Sequence, residues 1–425
     1  MLQVSKITGQ VEIPESTIKD VEKKVGSVSD FKEKIKKSFT QKTTEIIEII
    51  LAGAVKLKAS DIHIEPEEEQ AKLRVRIDGM LQDALSLDNK IYKSIVSRIK
   101  LLAKLKLNVS DRPQDGRFSI LFKETEIEIR ASSLPSEYGE SIVMRILDPN
   151  SLVNIESLGL RKDLVKIFNK EIKQPNGMII VTGPTGSGKT TTLYAILKKL
   201  NNPKIKIITI EDPIEYHLKG ISQTQVDPKK GYSFASGLRS IMRQDPDVIL
   251  VGEIRDLETA KIALQAALTG HLVLTTLHTN NAAGTIARLQ ALGEKPVNIA
   301  PAINMAIAQR LVRKVCKKCS KLEKATKEEI IKIKKVLNKL PKEIKIPRIK
   351  GCKYCNQTGY KGRLGIFEFF LIDSEMEKLI SKSPSTIQMQ EFAQKRGMVS
   401  IKQDGFLKIL EGLTTIEEVE RVTGE

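Results

Sequence analysis

The run Gly183, Pro184, Thr185, Gly186, Ser187, Gly188, Lys189, Thr190 leaves this chain few folds to choose from. It fits G-x-x-x-x-G-K-[ST] at every fixed position. It also stands where that pattern must, after the apolar run Met178 to Val181 and before a helical stretch from Thr191 to Leu197. The glycines permit turns closed to other residues, so several backbone N–H groups can converge on one phosphate. A helix beginning near Lys189 adds the positive end of its dipole. Lys189 is placed for the β- and γ-phosphates and Thr190 for a Mg²⁺ ion, which makes the run from Gly183 through Thr191 a nucleotide-binding loop. A glycine-rich turn without a ligand needs none of the strand, lysine and hydroxyl together.

Around this loop lie four short apolar runs: Met178 to Val181, Lys206 to Ile210, Val248 to Val251 and Leu272 to Thr276. They alternate little and are separated by helices or long connections, which predicts a parallel sheet buried on both faces. Ligands of such sheets gather at the carboxyl ends of the strands. There the chain places the phosphate loop, Glu211-Asp212, Gly252-Glu253 and His278. Upstream, Thr44 to Ser60 has helical spacing, Leu73 to Ile77 alternates before the turn Asp78-Gly79, and Ile91 to Leu107 reads as a basic amphipathic helix. Strands are expected at Phe118 to Phe122, Ile127 to Arg130 and Ser141 to Ile146. The predicted division is a short arm over 1–40, an α/β domain over 41–148, a linker over 149–160 and a nucleotide domain over 161–425. The arm shows only a weak apolar rhythm (Val21, Val25, Val28, Phe31, Ile35), and the last 50 or so residues, from Ser374, read as short helices.

The net charge of +18 is not spread evenly: residues 310–363 hold 19 basic and 4 acidic side chains, and the remainder is nearly neutral. An acidic protein, a lipid surface or nucleic acid would suit that segment. Trp is absent and aromatics are 4%, which counts against stacking on single-stranded nucleic acid, so no stable nucleic-acid partner is expected. Met1-Leu-Gln-Val leads into polar sequence rather than a leader's apolar core, and the longest uncharged stretch, Ile262 to Ala287, is interrupted by polar side chains. A soluble cytosolic chain is the expectation.

Four constellations bear chemistry. Asp247 to Glu253 resembles the second nucleotide strand of phosphate-loop enzymes, with Glu253 where an Asp usually stands on the metal side. Glu211-Asp212-Pro213-Ile214-Glu215 offers three carboxylates past a strand end, for activating water or organising metal, but it also reads as an ordinary acidic turn with Pro. His271 and His278 are spaced for packing as readily as for chemistry. Their place near the expected γ-phosphate edge points His278 toward phosphate sensing. Cys316-x-x-Cys319 and Cys352-x-x-Cys355 are the only cysteines, and paired C-x-x-C motifs fit a closed Zn²⁺ site better than disulfides. The wide separation of the pairs leaves free thiols open.

Taken in order, these residues resemble the secretion ATPase superfamily, specifically the type II secretion and type IV pilus assembly ATPases. The similarity runs from about Glu45 onward through Ala59 to Pro66, Val75 to Gly79, Pro113 to Arg117, Ile208 to Tyr216, Arg243 to Asp256 and Thr269 to Asn280. It implies a RecA-like P-loop NTPase domain, a smaller amino-terminal α/β (PAS-like) domain and a zinc-binding insertion at about 314–360. It implies that Glu215 is the general base, Glu253 organises Mg²⁺ and His278 senses the γ-phosphate. Arg130 and Arg145, which spacing alone presents as strand-face charges, are implied to swing onto the nucleotide. It further implies a homo-hexamer at the inner face of the plasma membrane, held there through a membrane platform protein and driving assembly of pilin-like subunits. The tetracysteine insertion separates assembly motors from retraction motors. Assembly motors carry a further amino-terminal docking domain, for which forty residues are too few, and the basic insertion is a candidate to dock on an acidic platform or lipid. The alternatives are a pilus retraction or DNA-uptake motor of the same superfamily, a nucleic-acid translocase, and a zinc scaffold that hydrolyses nothing.

Overall fold

The structure, a computed structural model, describes residues 9–424, so Met1-Leu-Gln-Val lies outside the described residues. Two compact units emerge: one holds the chain up to Ser151 together with 316–320 and 349–361, the other 152–315, 321–348 and 362–425.

In the first unit, strands β1 (Gln10–Glu12), β2 (Asp61–Pro66), β3 (Gln70–Ile77), β4 (Met80–Asp88), β5 (Gln114–Phe122), β6 (Thr125–Ser136) and β7 (Gly139–Leu147) form one sheet. Its order is β1-β5-β6-β7-β2-β3-β4. Along β3, Ala71, Leu73, Val75 and Ile77 are buried while Lys72, Arg74 and Arg76 are part exposed, the period of a strand with one face in a core. Helices α1 (Glu15–Lys24), α2 (Val28–Lys36), α3 (Thr43–Lys56) and α4 (Asn89–Leu102) share that core. The weak rhythm of the arm proves to be a buried face: Val21, Val25, Val28, Phe31 and Ile35 are all enclosed. Fully burying such a side chain contributes about 1.5–3 kcal/mol. Helices of ten and nine residues are marginal alone, so this burial, rather than propensity, holds them.

The helix expected to reach Leu107 ends at Leu102. Lys104 adopts a left-handed φ of 59°, and the Leu105 N–H bonds back to the Lys100 carbonyl at 2.8 Å, a Schellman-type stop. The buried Lys100 ammonium then donates to Val109 O at 2.7 Å and to the Glu140 carboxylate at 2.8 Å, folding the following residues onto the helix end.

The second unit contains β8 (Gly177–Thr182), β9 (Ile207–Glu211), β10 (Ser222–Gln225), β11 (Val248–Val251), β12 (Leu272–Leu277), β13 (Ile303–Val315) and β16 (Tyr360–Leu371). Their order is β10-β9-β11-β12-β8-β13-β16, and β8 through β13 pair in parallel. Successive residues feed two different cores. Met178, Ile180, Ile249, Val251 and Val273 enter one, packed on α7 (Phe234–Ile241), α8 (Leu257–Leu268) and α9 (Gly284–Ala291). Ile179, Val181, Val248, Leu250 and Leu274 enter the other, packed on α5 (Lys162–Glu171) and α6 (Lys189–Leu200). That is why the strands read as unbroken apolar runs.

After the four-residue α10 (Pro296–Ile299) and β13, the lysine-rich excursion is a small hairpin, β14 (Ser320–Lys324) and β15 (Lys345–Ile349), carrying α11 (Lys327–Val336). Thr326 and Glu329 form its capping box, and Ile333 anchors it in the first of the two cores. Helices α12 (Ser374–Ile380), α13 (Thr386–Lys395), α14 (Ile401–Leu410) and α15 (Ile416–Thr423) close the unit. The fully buried Asp404 of α14 accepts from Lys408 Nζ at 2.7 Å, Arg161 Nη1 at 2.6 Å and the Phe367 N–H at 2.8 Å. Its charge is therefore compensated, as a buried carboxylate requires. Among the described residues no helix is long and apolar enough to cross a membrane.

Candidate active site

The phosphate loop leaves β8 at Thr182 and closes at Gly188, the N-cap of α6, with φ of 149° at Gly183 and 88° at Gly188. Both glycines are required twice over. A Cβ on Gly183 would lie 2.6 Å from Gln309 O and 2.7 Å from Ser187 Oγ, and one on Gly188 would lie 2.8 Å from Gln309 Nε2. Lys189 Nζ donates to Gly183 O at 2.9 Å and Pro184 O at 3.3 Å, so it lies across the mouth of its own loop. Burial holds its ammonium below the usual lysine range, with Arg310 acting the same way and Glu253 opposing. Thr190, in the first turn of α6, is exposed. Ser187 Oγ is buried with no hydrogen-bond partner among the described residues. A free helix end, an orphaned hydroxyl and a glycine-lined cradle fit a phosphate chain.

Glu253 follows β11, the second strand over from β8, and His278 follows β12 between them. Glu253 Oε2 lies 3.7 Å from His278 Nε2, while Arg255 donates to Glu253 Oε1 and approaches Asp212 at 3.6 Å. Burial, then the nearby Lys189, holds His278 below the ordinary histidine range against the pull of Glu253. Lys189, Glu253 and His278 therefore form one electrostatic group at the carboxyl ends of three adjacent strands. His271 does not join it. It precedes β12, and its Nδ1 lies 3.0 Å from Ala266 O. A six-residue strand, about 20 Å long, separates the two histidines, so only His278 is at the phosphate edge.

Glu215 lies in the loop after β9, and its backbone N–H, with that of Tyr216, donates to Tyr194 Oη. The Tyr194 hydroxyl in turn donates to Glu211, which also accepts from Thr209 Oγ1 at 2.6 Å and Gln223 Nε2 at 3.2 Å. Of the three carboxylates in this stretch, Glu211 is thus a buried anchor and Asp212 a partner of Arg255. Glu215, the third, lies beyond them in the loop that Tyr194 fastens. Tyr194 and Gln223 had no signal in the sequence because they meet Glu211 across 17 and 12 residues.

Arg130 and Arg145 belong to the amino-terminal unit, directly opposite each other on β6 and β7. The register extends the row to Arg117, Arg130, Arg145, Asp61 and Arg76 across five strands. Asp61 accepts from Arg145 Nε at 3.0 Å and lies 3.4 Å from Arg76. Like charges facing each other across a sheet are destabilising, and here Asp61 within the row and Glu128, 3.2 Å from Arg130 Nε, relieve them. Arg117 and Arg76 were missed because only the strand register brings them into line.

The four cysteines converge in the amino-terminal unit. Cys316 and Cys352 sulfurs are 3.9 Å apart, Cys319 and Cys355 3.7 Å, and Cys352 and Cys355 3.7 Å. A tetrahedron of thiolates about 2.3 Å from zinc has edges of about 3.8 Å. These separations match it and are far beyond a disulfide bond of about 2.05 Å. The N–H groups of Cys352 and Gly359 donate to Cys355 Sγ at 3.2 and 3.3 Å, a second shell suited to a thiolate.

A family model described as "Type II/IV secretion system protein" matches residues 37–421. The Type II secretion system protein E of Pseudomonas aeruginosa is 45% identical over 381 residues, 89% of this chain and 75% of that protein. The Type IV pilus assembly ATPase PilB of Acinetobacter baylyi is 40% identical over 379 residues, 88% of this chain and 65% of that one. The crystal structure of the pilus retraction motor PilT with bound ADP superposes with a TM-score of 0.60 at 28% identity, over 88% of this chain and 96% of the other.

Proposed function

This chain belongs to the type II/IV secretion system protein family, and we propose that it is a hexameric motor in which ATP hydrolysis drives assembly of a type IV pilus or a type II secretion pseudopilus. Its larger unit is a RecA-like P-loop domain, and the chain is an ATP-hydrolysing enzyme. The observation that carries the reading is the convergence of Lys189, Glu253 and His278 at three adjacent strand ends.

In this reading the loop N–H groups and Lys189 bind the β- and γ-phosphates. Thr190 and Glu253 are the residues that would hold Mg²⁺, which when bound neutralises charge on the phosphate oxygens. Glu215, fixed through Tyr194, takes the proton of the attacking water. His278, largely neutral at neutral pH, donates to the γ-phosphate and releases Glu253 from its own pairing. The row through Arg130 and Arg145 supplies cations toward the transferring phosphoryl group, where bidentate guanidinium groups are effective. Zn²⁺ on Cys316, Cys319, Cys352 and Cys355 is structural, since four thiolates leave no open position. The membrane platform of the secretion or pilus machine is the proposed partner, at the cytoplasmic face.

Sedimentation of the purified chain with ATP and Mg²⁺ tests the assembly. A particle of six subunits is expected. A species that stays monomeric across nucleotide and protein concentration would contradict the ring.

A further inference from the structure

His278 lies on an irregular segment between β12 and α9, yet each of its neighbours is held. Thr182, the buried last residue of β8, accepts from the Thr279 N–H at 2.8 Å and donates to Leu277 O at 3.0 Å. Arg310 on β13 donates through Nη2 to Asn280 O at 2.9 Å and through Nη1 to Gln309 O at 3.0 Å. The Asn281 side-chain oxygen accepts from the Gly284 N–H at 2.8 Å. Glu368 on β16, only 3% exposed, accepts from the Ala282 N–H at 2.8 Å. The guanidinium also lies beside the phosphate loop: a Cβ added to Gly183 would come within 3.1 Å of Arg310 Nη1. Burial disfavours its charge, and the Glu368 carboxylate opposes that loss.

We propose that Arg310 is a positioning residue for the hydrolytic reaction: its guanidinium joins β13 to the 278–282 segment and fixes His278 beside the phosphate loop. This rests on reading the pocket as the ATP site. Two Nη groups on two backbone carbonyls form a rigid planar fork, whose geometry a lysine's flexible point charge does not reproduce. Glu368 supplies the counter-charge and, through Ala282, anchors the far end of the same segment. The cation therefore acts on the placement of another side chain, not on the phosphates. Misplacing a catalytic group by about 1 Å lowers turnover by up to about a hundred-fold without touching the ground-state contacts.

Steady-state hydrolysis and ADP calorimetry on the full chain test this, with Arg310→Gln, Arg310→Lys and Lys189→Ala. For Arg310→Gln, kcat is expected to fall about ten- to a hundred-fold, with KM for ATP and the affinity for ADP unchanged within about two-fold. Arg310→Lys keeps the charge and the fold, and carries the test if the glutamine variant melts early; its kcat is expected to fall as well. Parental kcat in both variants overturns the proposal. So does a loss of ADP affinity that matches the loss of turnover, because Arg310 is then a phosphate ligand. A Lys189→Ala chain that hydrolyses ATP like the parent would overturn it together with the site on which it rests.

Discussion

Glu253→Gln is expected to release phosphate from ATP about a hundred- to a thousand-fold more slowly than the parent chain while still binding the nucleotide. The substitution keeps shape and removes charge. In the structure one carboxylate oxygen receives Arg255 and the other faces His278 at 3.7 Å, with Lys189 close enough to be influenced. A neutral amide takes the shared anion from Lys189 and His278, leaves Arg255 only Asp212, and removes a carboxylate proposed for Mg²⁺. Those interactions matter most as charge redistributes on the phosphoryl group, so turnover falls while ground-state binding persists. The phosphate loop is untouched, which keeps ATP bound. Phosphate release measured under saturating ATP is the readout. Turnover within two-fold of the parent would remove Glu253 from the metal side of the site.

Loss of the proposed zinc should act at a distance in sequence. Asn356, just past the second cysteine pair, accepts the Val28 N–H at 2.9 Å and so caps the start of α2. Lys353, between those cysteines, lies 2.9 Å from Asp30 in the same first turn. Structural zinc contributes folding free energy outright, about 10–16 kcal/mol in small zinc domains at neutral pH. Chelation, or Cys355→Ser, is therefore expected to disorder both cysteine turns and to release the amino-terminal end of α2. Hydrogen exchange at residues 28–36 should rise at least ten-fold, and the bound metal should fall from one zinc per chain toward none. Unchanged exchange after complete metal removal would show that the turns hold their shape without an ion.

Why some of this was readable from the sequence and some was not follows from the range of each interaction. The phosphate loop was legible because strand, turn and helix follow within twenty residues. Glu253 and His278 were legible because parallel strands end on one side. Arg310 was not, because β13 runs through Met305, Ala306, Ala308 and Gln309, residues that favour helix and become a strand by pairing with β8 and β16. Tyr194 and the arginine row depend on contacts across the fold. The end of α4 turned on one lysine, Lys104, taking a left-handed conformation that its identity does not announce. His271 was placed on the wrong edge because spacing along the chain does not reveal which end of the strand a residue occupies.

The most direct test is release of inorganic phosphate from ATP and Mg²⁺ by the purified chain beside its Lys189→Ala variant. The account predicts sustained release by the parent and loss of nearly all of it when the ammonium that meets the β- and γ-phosphates is removed. Equal release by both chains, or none from the parent in its assembled form, would contradict it.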